Sequence, residues 1–324
     1  MVLTRWHSQR TNSGRVRSII GPKITPHAHL TSGFFKHSLA RGRARNRDKH
    51  ALRGRNVSER MDSDNIADVI RTHELVRSIG CSVSVVASLP RTASTLFCEA
   101  MAQHPSVFGC GELFIQDVSG RCYFHRKATG DSEGWYHGPA EFMDYLGGLA
   151  ARARGAGKTV LLFKLMDDQE PLVWQMIEQC TSIPIFYMRR DNIVEMVASS
   201  VSSLSTGAWH GHTPEDIARA NAAHVVVPAD GIDQMWQRRE LLEKRLQDLQ
   251  NPQMMIAYDR FTSDFRASIE LACGFLGIPA FAPTLTQFKL HRNPLRERVA
   301  NFDALKEHYR DTELASYFGN KQDT

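Results

Sequence analysis

Residues 84–101 read SVVASLPRTASTLFCEAM. A β-branched run stops at Pro90, and the stretch Pro90-Arg91-Thr92-Ala93-Ser94-Thr95 then passes into a segment of helical spacing. The start of a helix offers unpaired backbone N–H groups and a partial positive charge, which together hold anions. Here the turn adds Arg91 as a forked donor and the hydroxyls of Thr92, Ser94 and Thr95. These are parts of a phosphate or sulfate cradle. The nucleotide-triphosphate version of such a turn, GxxxxGK followed by Ser or Thr, is absent, because no lysine follows the turn. Gly157-Lys158-Thr159 does not supply it either: Arg152 stands where the first glycine belongs, and the triplet precedes a strand-like run.

Other residues carry charge where a core should be. Lys164 interrupts the apolar run LLFKL, so its ammonium must leave the core or meet an anion. Arg190 closes the run IPIFYMRR, and Ser199 follows it on the next helical segment; Arg189 is expected in a surface ion pair. Arg292, Arg296 and Arg298 recur in HRNPLRERVANF at nearly helical spacing, which suits either an anion clamp or a solvated face. His210 and His212 in WHGH lack a third ligand nearby, so no metal is expected. The six cysteines, at 81, 98, 110, 122, 180 and 273, show no CxxC or zinc spacing and read as reduced thiols.

The elements that must position these groups alternate. Strands are expected at Ser82–Ser88, in KTVLLFKLM, in IPIFYMRR and in QMMIAYDRF. Helices are expected at 64–75, 94–104, 140–153 and 170–180, from a cap at Asp191 towards Leu204, in DGIDQMWQRRELLEKRLQDLQ and in SDFRASIELACGFLGIP. Alternation of this kind calls for an α/β fold with a central parallel sheet flanked by helices on both faces. Ligands then bind beyond the carboxyl ends of the strands, where the turn 90–95, Lys164 and Arg190 all fall.

Charge divides the chain. Residues 1–60 hold 14 Lys and Arg against Asp48 and Glu59, whereas 61–324 hold 26 basic and 33 acidic residues. The first 60 are Arg-, Gly- and Ser-rich with little apolar periodicity, which predicts a disordered basic segment ahead of one domain over 61–324. A solvated tail, an organelle leader and a nucleic-acid-binding arm all fit that composition, as does a true start at Met61. No run reaches the roughly 20 apolar residues of a membrane helix, and a cytoplasmic location without membrane contact is expected.

With these residues in view, the chain resembles the sulfotransferases that use 3′-phosphoadenosine 5′-phosphosulfate, in particular the bacterial nodulation-factor and trehalose-type branch. PRTAST is similar to the family's 5′-phosphosulfate loop, LFCEAMAQHPSVFGCGELF continues the match, LLFKLM resembles the second-strand signature and FYMRRDNIVEMVASS the 3′-phosphate segment. IAYDRF…FLGIP and LRERVANFDALKEHYRDTELASYF resemble later blocks. The likeness spans about residues 82–318. It implies a P-loop-like sulfotransferase fold and an enzyme that needs the activated-sulfate nucleotide as co-substrate and no metal.

The resemblance also implies roles. Pro90, Arg91, Thr92, Ala93, Ser94 and Thr95 would hold the 5′-phosphosulfate, and Arg190 with Ser199 the 3′-phosphate, with Ser200 or Ser203 as substitutes for the latter. Arg296 and Arg298 are candidates to close over that phosphate. Glu112 would be the general base, with Lys164 and Arg91 offsetting charge at the reacting centre; a structural carboxylate and a snorkelling lysine are the plainer readings. Trp209 and His210 are placed near the acceptor, and Tyr123, Phe124, Trp135 and Tyr136 offer a second aromatic surface for it. The family usually has glycine where this chain has Ala93: positive φ there would strain the alanine, negative φ would not.

The expected partner is a small-molecule or glycan hydroxyl acceptor. A small-molecule kinase of P-loop type is the first competing reading, disfavoured by the missing GK[ST]. A nucleic-acid-binding protein driven by the basic arm is the second, disfavoured by the acidic remainder. The acceptor and the oligomeric state are not legible in these residues.

Overall fold

The computed structural model describes Glu74 and residues 78–114, 139–169, 171–287, 291 and 293–319. The basic segment 1–60, the helix expected at 64–75 apart from Glu74, the aromatic residues Tyr123, Phe124, Trp135 and Tyr136, and Arg292 lie outside the described residues.

Five strands form one parallel sheet in the order β2-β3-β1-β4-β5. They are β1 (Ser82–Ser88), β2 (Val107–Glu112), β3 (Val160–Met166), β4 (Ile185–Arg189) and β5 (Gln253–Ala257). β1 and β3 are buried almost throughout because both faces of the sheet are covered, and side chains alternate between two cores. Val83, Val85, Leu161, Phe163, Ile185 and Tyr187 enter one cluster. Val86, Val160, Leu162, Phe186 and Met188 enter the other. The expected α/β architecture, a central parallel sheet flanked by helices, is what the chain forms.

Helix α1 (Ser94–Ala102) follows β1 and packs Phe97, Cys98 and Met101 into the second cluster. Then come α2 (Pro139–Gly155), α3 (Pro171–Gln179), α4 (Ile193–Thr206), α5 (Pro214–Ala222) and α6 (Ala229–Asp248). After β5 come α7 (Tyr258–Ser263), α8 (Phe265–Phe275), the single turn α9 (Leu295–Arg298) and α10 (Phe302–His308).

One strand adds to the expectations and one expectation is corrected. β2 was not anticipated: its sequence, VFGCGE, has no continuous apolar run. Its glycines have separate causes. A Cβ on Gly109 would stand 2.5 Å from the Ala102 Cβ, so only glycine lets α1 lie against this strand; Gly111 has φ +65. The cap of α4 is Asn192, whose side chain accepts from the Glu195 N–H at 2.9 Å, rather than Asp191. Asp191 pairs with Arg189 instead, at 3.2 Å.

The chain winds outward from β1 in both directions, to β3 and β2 on one side and to β4 and β5 on the other. Neighbouring crossovers therefore part company at the carboxyl end of β1. That is where an open parallel sheet leaves a crevice for a ligand.

Candidate functional site

Four strands deliver polar side chains to this crevice. At the end of β1 the turn takes a conformation L-residues avoid: Arg91 has φ 66 and Ala93 has φ 64, and they are the non-glycine residues of positive φ among those described. Left-handed backbone costs an L-residue about 1–2 kcal/mol, so two such residues in three mark stored strain. The turn is held by Thr92, whose hydroxyl donates to the Leu89 carbonyl at 3.0 Å. No side chain caps α1. Its first backbone bond runs from the Phe97 N–H to the Ala93 carbonyl at 3.1 Å, which leaves the N–H groups of Ser94, Thr95 and Leu96 directed out of the helix start.

Beside that helix start sits an ion pair. Alternation along β3 puts Lys164 on the face of Val160 and Leu162, the face that α1 covers. Lys164 is 5% exposed. Its Nζ donates to Thr95 Oγ1 at 3.3 Å and, in a very short contact, to Glu112 Oε1. Glu112 is the cross-strand neighbour of Lys164, reached after the register shift between Gly109 and Glu112. The other carboxylate oxygen, Oε2, accepts from Gln169 Nε2 at 3.3 Å, and Gln169 is fixed in turn by the Met166 N–H at 3.1 Å. Gln169 was not singled out from the sequence, and a glutamine in the polar stretch after a strand gives no signal of its own.

The second group gathers where β4 ends. Arg190 donates to the Arg91 carbonyl at 3.0 Å, lies 4.1 Å over the Tyr258 ring and closes on Glu195. Arg91 turns its guanidinium towards the same region: Nε donates to Ser199 Oγ at 2.9 Å and a terminal nitrogen to the Trp209 carbonyl at 2.9 Å. Arg298, 3% exposed, reaches Glu195 at 3.4 Å and the Asn293 carbonyl at 3.0 Å. Two guanidiniums, Arg190 and Arg298, thus share the Glu195 carboxylate, with the Arg91 guanidinium beside Arg190. Burial and then the nearby charge of Arg190 pull the Arg91 guanidinium down to about 10. Burial followed by Glu195, which opposes it, and Arg190 leaves Arg298 lowered. His291, 8% exposed, stands in the same field with both ring nitrogens buried and unpartnered.

His210 lies between the two groups. Burial first, then the charges of Arg91, His212 and Lys164, holds its imidazole below the ordinary range. Trp209 is 44% exposed. The rings of His210 and His212 are 5.6 Å apart, and among the described residues no three His, Cys, Asp or Glu side chains gather as metal ligands.

The crevice therefore brings together Arg91, Thr95, Glu112, Lys164, Arg190, Ser199, Trp209, His210 and Arg298. Arg296 stands apart on the surface, paired with Asp303 at 3.3 Å and with its side chain 66% exposed. Arg189 reaches Asp191 and Glu243. Ser200 bonds back to the Met196 carbonyl at 3.0 Å, whereas the Ser203 hydroxyl is buried without a partner. Glu195, Tyr258 and His291 were missed because their relation to Arg190 and Arg298 arises only in three dimensions.

No protein-family profile matches the chain, and no curated protein matches it in sequence. Among solved structures it is similar to a sulfotransferase from Alicyclobacillus acidocaldarius, at 16% identity and a TM-score of 0.41, covering 73% of this chain and 99% of that one. It is similar also to the sulfotransferase domain of the curacin biosynthetic pathway, at 13% identity and a TM-score of 0.37, covering 73% and 95%. A third is the sulfotransferase domain of the Synechococcus PCC 7002 olefin synthase, at 15% identity and a TM-score of 0.39, covering 72% and 90%. At these levels the likeness is a description of shape. Among the described residues no helix is long and apolar enough to cross a membrane.

Proposed function

We propose that the chain is a sulfotransferase that moves the sulfuryl group of 3′-phosphoadenosine 5′-phosphosulfate to a hydroxyl acceptor, with carbohydrates among the candidate acceptors. The observation that carries this reading is the pair of adjoining cationic groups in one crevice. One is the uncapped start of α1 with Lys164. The other joins Arg190, Arg298 and Ser199, with Arg91 bridging to it. A nucleotide phosphorylated at both its 5′ and 3′ positions has two anionic ends for two such grips. Surplus buried guanidinium charge and an orphaned imidazole fit a pocket that binds an anion.

When bound, this donor supplies a sulfur whose bond to the phosphate oxygen breaks as the bond to the acceptor oxygen forms. The chain's own residues then have two tasks. The N–H groups of residues 94–96 and the Lys164 ammonium face the negative charge that grows on the departing phosphate oxygen. Lys164 has three donors; among the described residues Glu112 and Thr95 use two, which leaves one for that oxygen. Glu112, oriented by Lys164 and Gln169, takes the acceptor proton. Each carboxylate oxygen retains a lone pair for it after those contacts.

Calorimetric titration with 3′-phosphoadenosine 5′-phosphate against adenosine 5′-monophosphate tests the two-grip reading without metal. A preference of at least about tenfold for the doubly phosphorylated ligand, on the order of 1.4 kcal/mol, is expected; equal affinity refutes it. A second proton acceptor is favoured by one observation, the lowered imidazole of His210 between Arg91 and Lys164. If Glu112→Gln keeps turnover while His210→Asn abolishes it, the base is His210.

A further inference from the structure

Nearly every buried polar group in a folded protein has a hydrogen-bond partner, so an orphan asks for a ligand. His291 is such an orphan twice over: both ring nitrogens are buried with no partner among the described residues. Among the described residues, the charged groups that act on it stand on separate elements. Arg91 stands on the turn after β1, Arg190 after β4, Glu195 in the first turn of α4, and Arg298 on α9; Tyr258, at the start of α7, lies under Arg190. Against those three guanidiniums stands, among the described residues, the carboxylate of Glu195, already engaged by Arg190 and Arg298.

Protonating His291 would add a fourth positive charge to those three guanidiniums, with the Glu195 carboxylate already engaged by two of them. Burial, Arg298, Arg91 and Arg190 push the imidazole down to about 4, with Glu195 opposing them. An anion seated among the same arginines reverses that balance, because it is an acceptor for an imidazolium N–H and cancels the repulsion.

We propose that His291 is a proton-taking ligand of this pocket: the ring is neutral when the pocket is empty and becomes an imidazolium donor when a phosphate or sulfate dianion binds. This rests on the reading of the pocket as the grip for the 3′-phosphate. The proton comes from solvent and returns when the nucleotide leaves, so no covalent bond changes. Binding is then linked to pH in a definite sense. The bound form has the higher proton affinity, so the anion binds more tightly as pH falls from the bound-state value towards the empty-state one.

The test is calorimetry in buffers of different ionisation enthalpy, using inorganic sulfate and 3′-phosphoadenosine 5′-phosphate as probes. Sulfate carries no titrating proton of its own in the working range; phosphate monoesters titrate near pH 6, a contribution that cancels between wild type and variant. If the bound imidazole returns to at least its ordinary value of about 6.5, sulfate affinity is at least about tenfold greater at pH 5.5 than at pH 7.5. Proton uptake accompanies it, and His291→Gln loses both. Equal uptake in wild type and His291→Gln overturns the inference, as does pH-independent sulfate binding to the wild type. The wild-type arm decides the matter even if the variant fails to fold. Absence of any 3′-phosphoadenosine 5′-phosphate binding at either pH instead removes the nucleotide reading, a result separate from the other two.

Discussion

Replacing Ala93 by glycine separates backbone strain from side-chain packing at the turn that opens α1. Ala93 has φ 64 and ψ 17, where an L-residue pays about 1–2 kcal/mol that glycine does not. Against that relief stand the larger entropy glycine loses on folding, about 0.4–1 kcal/mol, and the methyl group. Ala93 is partly buried against the second core cluster, so roughly half of the ~0.8 kcal/mol of a buried methylene is lost with it. The terms nearly cancel, and Ala93→Gly is expected to change stability by no more than about 0.5 kcal/mol. The control is Ala100→Gly in the same helix. Ala100 is fully buried in regular helical backbone, so it loses helix propensity and the whole methyl, about 2 kcal/mol together. Urea unfolding of both variants at unchanged m-value reads the difference of about 1.5–2 kcal/mol. Equal losses at the two sites refute the claim that the turn is strained. The same variant addresses the anion: loss of 3′-phosphoadenosine 5′-phosphate affinity in Ala93→Gly contradicts the view that this site suits glycine.

Other perturbations follow from the same geometry. Glu112→Gln is expected to lower kcat by about a hundredfold or more with nucleotide affinity retained, and to destabilise by about 1–3 kcal/mol through the stranded Lys164. Adding Lys164→Met restores most of that stability without activity, which urea melts and a turnover assay read together. Gln169→Leu removes the donor to Glu112 Oε2; kcat falls while KM for the nucleotide stays within about twofold, and a shifted pH–rate profile distinguishes this from general loosening. His291 is held at about 4 when folded and titrates at about 6.5 when unfolded. The unfolded chain therefore binds more protons between these values. This contribution is fully present above about pH 6.5 and declines as pH falls towards 4, by at most about 1.4 kcal/mol per unit before solvent screening. Urea midpoints at pH 7.5 and 4.5 fall closer together in His291→Gln than in the wild type.

Local chemistry was the legible part. Ser82–Ser88 and the start of α1 at Ser94 lie where the β-branched run and its Pro-containing turn predict. Lys164 shows as a charge in an apolar strand, and its partner proves to be Glu112, 52 residues away. β2 was hidden because Gly109 answers to the approach of Ala102 and not to strand propensity. α5 opens on a signal readable in the sequence, a capping box between Thr213 and Asp216. The second cationic group was only half visible. Arg190, Ser199 and Arg298 stood out as residues, but the contact from Arg91 to Ser199 spans 108 positions, and Glu195, Tyr258 and His291 take their meaning only from that closure.

The hydrogen bond from Arg190 to the Arg91 carbonyl splints one wall of the crevice to the other. On the function proposed above, the gap between the two grips is then set before a guest binds, and less ordering entropy is spent on adjusting it. A two-headed guest of matching length would then gain from each head, whereas a shorter one would have to forgo a head or break the splint.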